Sequence, residues 1–83
     1  MKLDIGKMYV VRGPKLFSFF LFCSEQANKV IGEVFRHQPF VLLAFSQNAG
    51  TSWGDYSLKI LTQDGKLGWM VVTEQYMEYI QPA

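Results

Sequence analysis

Two side chains in this 83-residue sequence could carry nucleophile or metal chemistry, Cys23 and His37, and each residue type occurs once. A cysteine thiolate attacks electrophiles and binds soft metals, but only where its environment favours the charged form. Cys23 sits in "SFFLFCS". A single cysteine rules out an intrachain disulfide and a multi-cysteine zinc site, and its apolar neighbours predict a buried, inert thiol. His37, alone, cannot build a multi-histidine metal site and reads as an exposed or hydrogen-bonded loop residue. The acid–base chemistry of paired carboxylates has no obvious carrier either, because Asp4, Glu25, Glu33, Asp55, Asp64, Glu74 and Glu78 stand singly along the chain. No GxSxG, GxGxxG or P-loop string is present. "GPK" at 13–15 and "NAGTSWGD" at 48–55 could line a site, yet turn chemistry accounts for their Gly, Pro and Asn. The expectation is a non-catalytic chain with no catalytic residues, no cofactor and no metal.

The elements that must position any binding surface follow from the apolar pattern. "KLFSFFLFCS" at 15–24 has one polar residue between Leu16 and Cys23. That run is less than half the roughly 20 apolar residues that a membrane-spanning helix needs, so it predicts no membrane span. The preceding "MKLDIGKMYVVRGPK" carries charges of both signs and lacks the layout of a signal peptide, so the chain reads as cytoplasmic and unprocessed. A single domain over residues 1–83 is near the lower size for a stable core without disulfides. A 49% hydrophobic and 16% aromatic composition supplies the density that such a core requires.

Short runs rich in β-branched and aromatic residues recur: Tyr9-Val10-Val11, Phe19 to Phe22, Val30-Ile31, Phe40 to Phe45, Leu58 to Leu61 and Trp69 to Val72. Gly13-Pro14, Asn48-Ala49-Gly50 and Asp64-Gly65 punctuate them as turns. No 3.6-residue apolar period persists, so the fold class is all-β. In "YSLKILTQDGKLGWMVV", residues 56–72, Asp64-Gly65 predicts a tight type I′ hairpin, and Gly68 beside Trp69 predicts a close backbone approach in the returning strand. Several short strands sharing one core favour a small barrel that leaves few exposed edges.

The order of a hairpin carrying "DGKLGWM" and then "TEQYMEYI" resembles the C-terminal half of Src homology 3 (SH3) domains and their bacterial SH3-like relatives. The resemblance is specific over residues 56–80. It implies a barrel of five to six short antiparallel strands, with the hairpin as distal loop, a 3₁₀ turn over Thr73 to Met77 and a closing strand at Glu78-Tyr79-Ile80. Upstream, "GKMYVVR" would be the first strand, residues 13–38 the long RT-type loop, "PFVLLAF" the second strand and "SQNAGTSWGD" the n-Src-type loop. Val71 and Glu74 stand where the ligand-binding members have their groove-forming proline and tyrosine. That departure argues against recognition of proline-rich peptides.

Three partner readings follow. The first is a protein-interaction module whose aromatic anchors are Tyr9, Trp53 and Tyr56, with Trp69 of the hairpin beside them. The second is self-association through Phe20 and Phe22. Strict alternation from Phe17 to Cys23 sends Phe17, Phe19, Leu21 and Cys23 to the core and Ser18, Phe20 and Phe22 to the other face, unless "KVIGEVF" folds back as a hairpin arm across the Ser24-to-Asn28 turn. The third is nucleic acid on Lys7, Arg12, Lys15, Lys29 and Arg36. Net charge is +1. So small a charge releases few counterions, and binding to nucleic acid is expected to be weak.

Overall fold

A computed structural model describes residues 3–13, 18–24, 29–47 and 54–83. Its seven strands form one curled antiparallel sheet in the order β3-β2-β6-β5-β4-β1-β7. They are β1 Met8–Val11, β2 Ser18–Phe22, β3 Val30–Phe35, β4 Phe40–Gln47, β5 Tyr56–Thr62, β6 Leu67–Val72 and β7 Ile80–Pro82, with a 3₁₀ helix at Glu74–Tyr79 before β7. The fold is all-β, as the absence of a helical period requires. Seven strands replace the expected five to six because the long segment before Phe40 itself folds as a hairpin. "KVIGEVF" does return against "SFFLF": Phe19 lies opposite Val34 and Phe20 opposite Glu33. The 3₁₀ helix runs on to Tyr79, so the closing strand begins at Ile80 and not at Glu78.

Residues directly opposite in antiparallel strands share a face, so the registers sort the side chains into two layers. Tyr9, Phe40, Leu42, Leu58, Ile60, Met70, Val72, Leu21, Val34 and Ile80 fill the interior, and Met77 of the 3₁₀ helix closes one end. Gly68 is buried beneath Leu21. A Cβ there would come within 2.7 Å of Leu21 Cγ and 2.9 Å of the Phe22 carbonyl oxygen, so the missing side chain lets β2 lie on β6.

Two expectations change. The β5–β6 connection is not a type I′ turn: Gly65 alone takes a positive φ of 89°, and its N–H donates to the Thr62 carbonyl at 3.0 Å. This is a three-residue loop in which the left-handed glycine forms a bulge, a geometry that requires positive φ at one residue only. The Thr62 hydroxyl donates to Asp64 and holds that carboxyl below its usual range. Cys23, expected in the core, is exposed. β2 ends at Phe22, and Cys23 enters the following bend with its N–H donating to the Lys29 carbonyl, so alternation no longer governs it.

Ser57 lies opposite Val71 in β5 and is fully buried, and its hydroxyl has no hydrogen-bond partner among the described residues. A buried, unpaired hydroxyl costs about 1–3 kcal/mol. Ser57→Ala is therefore expected to raise the unfolding free energy by about 1 kcal/mol, read as a shift in denaturant midpoint at unchanged slope. A loss of stability would mean that the hydroxyl has a partner after all.

Candidate functional site

At the end of the barrel closed by the 3₁₀ helix lies a hollow of about 300 Å³, lined by Phe45, Tyr56, Glu74, Met77 and Glu78. Its aromatic wall depends on an irregularity in β4. Leu42 opposes Ile60 and Ala44 opposes Lys59, so Leu43 is an extra residue in the ladder. Without that bulge, strict alternation from Phe40 and Leu42 would turn Phe45 outward. With it, Phe45 opposes Leu58 and shares the inner face at the mouth of the barrel. There it stacks on Tyr56, with ring centroids 5.4 Å apart and planes at 22°. Phe45 remains 41% exposed.

The opposite wall is the 3₁₀ helix. Its first N–H, that of Glu74, donates to Asp55 Oδ2 at 2.8 Å. This places Asp55 beside Glu74, and Glu78 follows one turn later. Met77, buried in the core cluster, forms the floor where the hollow meets the interior. Tyr76 and Tyr79 stack on each other at 5.8 Å, and Phe19 meets Tyr76 edge-on at 6.5 Å. The hollow thus has one aromatic wall, formed by Phe45 and Tyr56, with carboxylates at its rim and, among the described residues, no basic residue in its lining. Such a surface suits a ligand that is apolar and cationic at once, since a cation over an aromatic face gains about 0.5–2 kcal/mol.

The aromatic anchors expected from sequence separate. Tyr56 lines the hollow. Tyr9 is 4% exposed, its ring lies 6.5 Å from Phe40, its hydroxyl accepts the Asp4 N–H at 2.6 Å, and it lines a separate shallow hollow with Lys7, Met8 and Pro82. Its ring belongs to the core cluster and does not line the hollow beside Tyr56. Trp53 lies outside the described residues, as does Lys15. Trp69, half-buried, occupies the outer face of the sheet between Phe22 and Lys59, remote in register from Tyr56. On that same face Phe20 is 54% exposed, whereas Phe22 is only 6% exposed with its ring against that of Phe20. Phe45, Glu74, Met77 and Glu78 escaped the sequence reading. "TEQYMEYI" held the signal for three of them; the bulge that turns Phe45 has none.

Cys23 and His37 contribute to neither surface. His37 adopts a φ of 69° in the turn before β4, a left-handed conformation that histidine tolerates better than most residues. Its N–H donates to the Val11 carbonyl at 2.9 Å. Among the described residues no three His, Cys, Asp or Glu side chains come together as a metal site, and no helix is long and apolar enough to cross a membrane.

No protein-family model, curated protein or solved structure matches this chain.

Proposed function

We propose that this chain is a non-catalytic, SH3-like interaction module that binds a basic, apolar peptide segment in the hollow between Phe45, Tyr56 and the 3₁₀ helix. The SH3-like reading is supported by the order of parts: a first strand, a long hairpin-forming loop, a three-strand meander, a 3₁₀ helix, and a last strand that returns to β1 with Val11 opposite Ile80. The single observation that carries the binding reading is the stacked Phe45–Tyr56 pair facing Glu74 and Glu78 across an open hollow. An arginine side chain fits this chemistry better than lysine, since its planar guanidinium stacks on a ring and pairs with a carboxylate in the same pose. The same carboxylates repel a phosphate backbone, which ranks nucleic acid below peptide. Val71 and Glu74 continue to argue against a polyproline helix as the ligand.

Fluorescence anisotropy with labelled peptides tests this reading. Peptides carrying arginine next to apolar residues should bind, and acidic peptides of the same apolar content should not. Replacing both Glu74 and Glu78 by glutamine should weaken binding about two- to thirtyfold, because each of the two exposed charge pairs contributes roughly 0.2–1 kcal/mol. Added salt should weaken the wild type more than this variant. Equal binding of acidic and basic peptides, or tight binding of a PxxP peptide without arginine, would contradict the proposal.

A further inference from the structure

We infer that the outer face of the β3-β2-β6-β5 sheet is an interface between two copies of this chain. The pairing register builds one continuous row there: Val30 opposes Phe22, Phe22 opposes Trp69, and Trp69 opposes Lys59. A second row beside it joins Leu67 to Leu61, and Phe20 packs its ring on Phe22. Sheet strands that face water on one side alternate apolar with polar residues. Here both faces are apolar, and Phe20, Leu67 and Val30 are each about half exposed at 54%, 53% and 48%.

Area and charge together identify the occupant. The exposed parts of these side chains amount to on the order of 500 Å². A stable interface takes about 800 Å² from each partner, of which roughly 60% is apolar. The face therefore supplies what one side of a dimer needs. Its flanks carry opposite charges: Lys59 lies on β5, and Glu33, hydrogen-bonded by the Ser18 hydroxyl at 3.0 Å, lies on β3. A two-fold axis in the plane of the interface, running near the strand direction between β6 and β2, lays the β5 flank of one copy over the β3 flank of the other. β6 with Trp69 then lies over β2 of the other copy, where Phe20 is the exposed aromatic, and Lys59 approaches Glu33, twice over. An isologous dimer requires this self-complementarity. The groove at the end of the barrel stays outside this contact, so the two proposals stand or fall separately.

Sedimentation or light scattering at tens of micromolar should give twice the 9.5 kDa chain mass. Phe20→Asp should shift the particle to monomer with an unchanged circular dichroism spectrum, because this side chain is exposed in the single chain. Lys59→Glu or Glu33→Lys alone should weaken the dimer at least fivefold, and the double exchange should restore it, a rescue that damaged folding would not give. A monomer at all concentrations up to millimolar would overturn the inference, as would a dimer indifferent to Phe20→Asp or a double exchange no tighter than the single ones.

Discussion

Leu21→Ala is expected to lower the unfolding free energy by about 2–5 kcal/mol, the range for truncating a fully buried aliphatic side chain. An 83-residue domain has about 4–12 kcal/mol in total, so this single change should remove a large part of its stability. The position is more exacting than its burial alone implies. Leu21 opposes Met70 across β2–β6 and also occupies the space that a side chain at Gly68 would need. Gly68→Ala should therefore destabilise as well, by about 1–3 kcal/mol through overpacking. The two changes should not add. In the double variant the alanine methyl at 68 enters the space vacated by Leu21, so the combined cost should fall below the sum of the separate costs. Urea unfolding of the three variants measures this, and strict additivity would mean that β2 does not depend on the missing side chain for its seat on β6.

The second large effect is on binding. Phe45→Ala should weaken a basic peptide by about 2 kcal/mol, roughly thirtyfold, because aromatic anchors in a recognition surface dominate its energy. Its cost to folding should be much smaller than that of Leu21→Ala, since Phe45 is 41% exposed and Leu21 is fully buried. Parallel loss of binding and of stability would reduce Phe45 to a packing residue. Substitution of Tyr9, in contrast, should act on stability alone, because its ring belongs to the core.

What could be read from residue order, and what could not, divides on local irregularities. β-branched and aromatic runs bounded by glycine, proline and asparagine were enough to predict the strands, since each strand is short and its turn chemistry is local. Alternation also assigned Phe19 and Leu21 to the core and Phe20 and Phe22 to the other face. It failed at Cys23, where the strand ends one residue sooner, and it would misplace Phe45, where the bulge at Leu43 reverses the face. A bulge depends on the register of a partner strand far away in sequence, so no window around Leu43 reveals it. The burial of Tyr9 depends on distance in sequence for a related reason: β1 is paired by β4 and β7, whose residues lie some 30 and 70 positions on. The groove shares this dependence, as it joins the end of β4, the start of β5 and the 3₁₀ helix.

The most direct measurement is a ¹⁵N-edited NMR titration of the intact chain with an arginine-containing apolar peptide. The largest shift changes should fall on the amides of Phe45, Tyr56, Glu74, Met77 and Glu78, saturate with the peptide, and need several times more peptide to reach the same extent in the Glu74→Gln, Glu78→Gln variant. Saturable changes centred instead on the outer face around Phe20 and Trp69, or no change at millimolar peptide, would contradict the assignment of this hollow as the binding site.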